Sequence, residues 1–262
     1  MVVLVRSYGN HSNRLFQNLH VEAFCREHSI PFFNATIFDM AHAYAFPPKH
    51  LLSVFYIALF RMTKFLHVIP YISCVEEESA KHYKDELLQG KNKLVFVGGW
   101  GFRDHESVLK QNIFFREKYA AVKSNNSYRT MVDAVKRFDV VIGVHIRRGD
   151  YNKWLGGKYC FDNAIYRRVV QDFIRAMEPK KFLVIYFSNE RLNPDELQCG
   201  TEVRFSNNPY YIDYRLMGQC HYLIGPVSTF TLWASFLHHV PYFHIEYPQQ
   251  EIHLSDFKIC QG

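Results

Sequence analysis

The chain has 262 residues, 48% of them hydrophobic and 21% charged, with a net charge of +6. Such a chain buries one large core or two smaller ones, and its apolar content excludes an intrinsically disordered protein. The basic excess is small and dispersed, with no dense Lys/Arg run interleaved with aromatics, so nucleic acid is not an expected partner; an anionic ligand or an anionic membrane surface fits better.

In chain order the hydrophobic pattern alternates between strand and helix. "VVLVRS" reads as a strand. The stretch "NRLFQNLHVEAFCREHS" then carries Leu15, Leu19, Ala23 and Cys25 at helical spacing. "PFFNAT" reads as a second strand. "KLVFVGGW" is a strand running into a Gly-Gly turn, "ESVLKQNIFFREKYAAV" is one helix, and 125–138 is another. The alternation then restarts. "DVVIGVHI" is a strand, and "NAIYRRVVQDFIRAM" is an amphipathic helix with Ile165, Val169, Phe173 and Met177 on one face. "KFLVIYFSN" and "EVRFSN" are strands with the short helix or turn "NPDELQ" between them. "YYIDYRLMGQC" and "STFTLWASFLHH" are helices, separated by the strand "HYLIGP" and followed by "VPYFHI". Strand and helix in strict succession imply parallel sheets covered by helices. The expected fold is therefore α/β with two Rossmann-like domains, residues 1–130 and 131–262.

The most apolar stretch, Leu51 to Ile72, is interrupted by Arg61 and Lys64 and reaches Pro70. It is a poor transmembrane span. It reads as an amphipathic helix that either packs on the protein or lies on a membrane surface. The start "MVVLVRSYG" reads as a strand, not a signal peptide. The six cysteines form no CxxC and no zinc spacing, and Cys25 and Cys220 sit in apolar, helix-like contexts. A cytoplasmic, reducing location, with peripheral membrane contact as an option, is expected. On that view the N-x-S/T sequons at Asn10, Asn34 and Asn125 are chance.

In parallel α/β sheets ligands bind beyond the carboxyl ends of strands. The strand Asp139–Ile146 ends in Arg147-Arg148-Gly149-Asp150. Guanidinium groups stay charged and donate paired hydrogen bonds, which suits a diphosphate. Gly149 permits a tight turn, and Asp150 is placed to orient an arginine or cap the next segment. An arginine pair otherwise serves surface acids, but the strand end favours an anion site. An adhesive role for the RGD tripeptide is disfavoured, because it abuts a buried strand. At a second strand end, Ser228 and Thr229 open a helix, where hydroxyls and free N–H groups either bind an anion or simply cap the helix. There is no Walker A loop, GxGxxG, HExxH, GxSxG or DxD.

The block "IGVHIRRGDY" resembles the most diagnostic motif of the α-1,2-fucosyltransferase family, within the wider set of α-1,6- and protein O-fucosyltransferases. "SNRLFQNLHVEAFCREHSI" is similar to that family's N-terminal glycine-asparagine block, "GGWGFRDHESV" to its central segment, and "YYIDYRLMGQCHYLIGPVSTFTLWASFL" to its C-terminal block. The resemblance implies a GT-B fold, with the two domains facing each other across a cleft. It also implies inverting, metal-independent transfer of fucose from GDP-fucose to a glycan hydroxyl, α-1,2 in linkage, with no cofactor. Carried over by position, Arg147 and Arg148 bind the donor diphosphate, His145 and Asp213 hold the guanine, and Ser228 and Thr229 complete the phosphate cradle. Asn13 faces fucose and acceptor; Gly9-Asn10 lies slightly upstream, and the spacing to Phe16-Gln17 favours Asn13 over Asn10. Two departures stand out: Ser12 replaces the family's glycine before the asparagine, and the C-terminal helix has the single Trp233. These bear on acceptor and linkage more than on donor.

The candidates for a catalytic base are Asp104, His105, Asp162 and Asn13 acting through water. The acceptor glycan is open among lipid-linked glycan, polysaccharide repeat and protein glycan. Two alternatives stand beside this reading. One is a non-catalytic nucleotide- or glycan-binding protein on the same scaffold; the other is a transferase of different linkage or donor.

Overall fold

The computed structural model describes residues 1–44, 50–76, 80–121, 123–177 and 180–262. The chain divides into two compact units, residues 1–120 with 261–262 and residues 121–260. Sequence patterning placed the division at 130/131. The structure keeps the helix Asn126–Val135 with the second unit, where Asn125, its N-cap, donates to Asn208 Oδ1 at 3.1 Å.

The first unit is built on a parallel four-stranded sheet, in the order β2-β1-β4-β3. Its strands are β1 (Val2–Leu4), β2 (Phe32–Asn34), β3 (Tyr71–Ser73) and β4 (Val95–Gly98). Successive side chains on a strand point to opposite faces. Val2, Leu4, Val95 and Val97 thus meet Val21, Phe24 and Cys25 of helix α1 (His11–Glu27) and Leu87 of α3 (Ala80–Gln89). Val3, Val5 and Phe96 point the other way, towards Phe60 and the flanking Tyr56 and Ile57 of α2 (His50–Thr63).

Three sequence expectations change here. The apolar stretch after residue 50 stays helical only to Thr63, and Tyr71–Ser73 joins the sheet as β3; so short a strand after Pro70 leaves little periodic signal. Helix α3 had no assignment. The helix expected over 106–122 is two, α4 (His105–Lys110) and α5 (Asn112–Lys118), broken at Gln111. The Gln111 side chain is committed to α1, donating to the Ala23 carbonyl at 3.0 Å and accepting from Arg26 Nε at 3.0 Å.

The second unit carries a parallel five-stranded sheet, in the order β7-β6-β5-β8-β9. Its strands are β5 (Val140–Ile146), β6 (Phe182–Ser188), β7 (Glu202–Ser206), β8 (Tyr222–Pro226) and β9 (Tyr242–Ile245). Its helices are α6 (Asn126–Val135), α7 (Asn163–Ala176), α8 (Tyr210–Met217) and α9 (Thr229–His238). Every residue of β5 is buried. Val140, Ile142, Val144 and Ile146 share a core with Tyr166, Val169, Val170 and Phe173 of α7. Each such side chain contributes about 1.5–3 kcal/mol by leaving water. Both units are Rossmann-like α/β sheets, as the alternation predicts. Cys25 and Cys220 are buried and unpaired, as expected.

Candidate active site

From β5 the chain winds outward to β6 and β7 on one side, then returns to β8 and β9 on the other. The connections leaving β5 and β8 therefore diverge, and a crevice opens at the carboxyl ends of these strands. A cavity of about 220 Å³ lies there. His145 and Arg147 come to it from β5, and Phe187, Ser188 and Asn189 from the end of β6. Asn208, Tyr210 and Asp213 come from the β7–α8 connection and α8, and Phe230 from α9.

Each side chain has a local cause. His145 is buried near the end of β5 and lies 3.2 Å by its Nδ1 from Thr231 Oγ1. Its ring leans on Phe230 at 4.9 Å, and Phe230 leans on Tyr214 at 4.4 Å. A β-carbon on Gly225 would come within 3.0 Å of the His145 carbonyl oxygen, so a glycine there lets β8 lie close against this histidine. Burial, then the charge of Arg147, pull the His145 pKa down to about 3, so the ring is neutral at physiological pH.

Asp213 is buried in the first turns of α8 and accepts a hydrogen bond from Ser206 Oγ at the end of β7. Burial raises its carboxyl pKa to about 7, against the pull of that hydroxyl. A carboxylate held this way ionises most readily when a ligand brings donors to it.

Arg147 Nη2 pairs with Asp150 Oδ1 at 2.8 Å, and its guanidinium lies 5.6 Å from the centre of the Tyr151 ring. Gly149, at φ 68°, supplies the turn between them. Tyr151 donates to the Val227 carbonyl at 2.9 Å, tying the loop after β5 to the loop after β8. Ser228 is buried there as the N-cap of α9 and accepts from Phe230 N at 3.2 Å. Thr229 is the first residue of α9.

Arg148 turns away from the cavity. Its Nη2 donates to Asn163 Oδ1 at 2.5 Å, and its backbone N–H donates to the cavity-lining Asn189 at 3.2 Å. Alternation along an extended chain sends the two neighbouring arginines to opposite sides. The structure thus brings His145, Arg147 and Asp213 together, with Asp150, Ser228 and Thr229 beside them and Arg148 behind.

The other sequence candidates have different settings. Asp162 is the N-cap of α7 and accepts from Ile165 N at 2.9 Å. In the first unit, Asp104 is buried and paired with Lys84 at 2.9 Å, and His105 Nδ1 lies 2.7 Å from the Gly262 carbonyl oxygen. Asn13 stands in the first turn of α1. Gly9, at φ 64°, lies so close that a β-carbon on it would overlap the Asn13 side chain. Trp233 is fully buried against Phe236. The sequons at Asn34 and Asn125 have internal roles: Asn34 bonds to Asn18 and Thr36, and Asn125 caps α6.

Phe187, Ser188, Asn189, Asn208, Tyr210 and Phe230 were not anticipated. The strand-end rule applied to β6 and β7, which run into Ser188-Asn189 and Ser206-Asn207-Asn208, finds three of them.

A buried acid, an arginine and aromatic rings at the switch point of a parallel sheet mark a candidate ligand site. Residues 98–245, more than half of the chain, match the model "Glycosyl transferase family 11", and the chain belongs to that family. It is 27% identical over 157 residues to galactoside alpha-(1,2)-fucosyltransferase 1 of Leontopithecus chrysomelas, covering 54% of this chain and 41% of that protein. Against the Saimiri sciureus enzyme of the same name, identity is 27% over 106 residues, 37% of this chain and 28% of that protein. The chain thus spans less than half the length of these curated relatives. Among solved structures, a mutant of Arabidopsis thaliana FUT1 in complex with GDP aligns with TM-score 0.60 and 13% identity, over 98% of this chain and 72% of that one. NodZ alpha-1,6-fucosyltransferase soaked with GDP-fucose aligns with TM-score 0.55 and 15% identity, over 95% and 97%. At these identities the structural likeness bears on the fold, which is the expected GT-B type.

Proposed function

We propose that the protein is an inverting fucosyltransferase that moves fucose from GDP-fucose to a glycan hydroxyl, in α-1,2 linkage and without a metal ion. The observation that carries this reading is the cavity that joins Asp213, His145 and Arg147 at the carboxyl ends of β5 and β8. Family membership and the names of the relatives support the linkage and the donor.

The guanine N1–H and N2 amine meet the Asp213 carboxylate, and the base lies beside Phe230 and the neutral His145. The diphosphate reaches Arg147, whose guanidinium Asp150 and Tyr151 hold in place. The N–H groups and hydroxyls at the start of α9 add partial positive charge. Arg148 acts through Asn189 and the start of α7, as a positioning residue.

In the reaction an acceptor oxygen bonds to the fucose anomeric carbon from the face opposite the diphosphate. The carbon–oxygen bond to GDP breaks, its electron pair leaves with the β-phosphate, and the acceptor hydroxyl releases its proton to water. Arg147 stabilises the charge that develops on the leaving group, a role worth about 3–4 kcal/mol, or on the order of a hundred- to thousandfold in rate. A loose, oxocarbenium-like transition state demands little of a base.

The buried thiols of Cys25, Cys199 and Cys220 fit a reducing compartment such as the cytoplasm. An acceptor presented at a membrane, as a lipid-linked glycan, fits the exposed apolar face of α2.

Arg147→Ala should reduce transfer from GDP-fucose by at least a hundredfold while the circular dichroism spectrum and melting temperature stay close to the parent's. Near-normal transfer by that folded variant contradicts the assignment.

A further inference from the structure

Helix α2 has two apolar faces where a surface helix has one. Its inner face, Ser53, Tyr56, Ile57 and Phe60, recurs at helical spacing and packs on the first unit's sheet. Its outer face carries Leu51, Phe55, Ala58 and Met62 at the complementary spacing, and the chain continues into Phe65, Leu66 and Val68. These outer side chains are open to solvent: Leu51 is 85% exposed, Phe55 56%, Met62 72% and Phe65 83%. Monomeric proteins rarely leave so contiguous an apolar ridge in water without a partner for it.

Charge selects the partner. No Asp or Glu occurs between His50 and Val75, while Arg61 and Lys64 flank the ridge and are exposed. The amino ends of the strands add more cation. Pro70 accepts from Phe96 N at 2.9 Å, Leu94 and Ile69 pack against the same core as Phe60 and Phe96, and the preceding Lys91 and Lys93 are exposed. Among the described residues, the carboxylates on either side in the sequence do not oppose this. Asp39, before the helix, is bound by Arg14, Glu76 lies beyond the carboxyl end of β3, and Asp85 and Glu86 belong to α3, whose Leu87 packs on the other face of the sheet. An apolar ridge rimmed by Lys and Arg complements a bilayer surface with anionic headgroups. A protein partner would need its own acidic rim. At 14 residues α2 is too short to span a bilayer, and among the described residues no helix is long and apolar enough to cross one.

The geometry points to α2 and the segment to Val68 as a peripheral membrane dock. The helix lies in the interface plane with Leu51, Phe55, Met62 and Phe65 in the acyl boundary and Arg61, Lys64 and Lys93 on anionic headgroups. This inference is independent of the donor assignment.

Flotation of the purified protein with phosphatidylcholine vesicles, with and without phosphatidylglycerol, tests it. The parent should float with the anionic vesicles and bind neutral ones at least tenfold more weakly, with binding falling as salt rises. A variant carrying Leu51→Ser, Phe55→Ser and Met62→Ser, all exposed positions, should lose vesicle binding at least tenfold while keeping its circular dichroism spectrum and its GDP affinity. Arg61→Glu with Lys64→Glu should abolish the preference for anionic vesicles. Failure of the parent to float with either vesicle overturns the proposal, as does undiminished binding by the triple variant. So does a dimer in light scattering that the triple variant dissolves, because the ridge would then be covered by a second copy.

Discussion

Asp213 carries the most informative chemistry of any single residue. Its carboxyl, raised to about 7 by burial, binds a proton in the folded protein at pH values where the unfolded chain has released it. Folded protein thus holds more protons than unfolded between about pH 4 and 7, so this group makes stability fall as pH rises through that window. Asp213→Asn should remove the loss. Its melting temperature should gain on the parent's as pH increases from 5 to 8, while GDP binding weakens by at least tenfold. The parent's own GDP affinity should decline as pH drops below about 7, because the guanine donors need the ionised carboxylate. Calorimetric titration of GDP at several pH values reads this directly, and a flat profile argues against Asp213 as the guanine ligand. His145, held neutral down to about pH 3, should contribute nothing to that profile.

At the scale of the element, helix α7 separates two roles for one carboxylate. Asp162 caps it, so Asp162→Ala should cost about 1 kcal/mol of stability by chemical denaturation and leave most of the transfer activity. Loss of activity beyond the loss of stability would return Asp162 to the reaction. The same helix shows what could be read in advance. Ile165, Val169, Phe173 and Met177 stand at four-residue spacing, and α7 formed there, but the side chains it buries are Tyr166, Val169, Val170 and Phe173, with Ile165 partly buried and Met177 at the C-cap. The long strands β5 and β6 were equally legible. Tyr71–Ser73 was not, because three residues after a proline carry no period. The break at Gln111 was hidden because its cause, a side-chain bond to the Ala23 carbonyl, lies far away in sequence. Arg147 and Asp213 were legible through strand-end position and family pattern. That Arg148 faces away required the backbone direction at the end of β5, and Asn189 and Asn208 were overlooked because amides draw less notice than charges.

At the scale of the whole molecule, the second unit contains the complete sheet, its own core and every side chain of the cavity. Residues 121–260 expressed alone should fold cooperatively and bind GDP within about tenfold of the full chain's affinity, without transferring sugar. Failure to bind would place part of the donor site outside this unit. On the proposed function the cavity holds a guanine nucleotide carrying fucose. Melting temperature, measured with GDP-fucose, GDP-mannose and UDP-sugars at equal concentration, tests it most directly. GDP-fucose should stabilise the parent most, UDP-sugars should leave it unchanged, and Asp213→Asn should abolish the difference. Stabilisation by UDP-sugars equal to or above that by GDP-fucose would contradict the account.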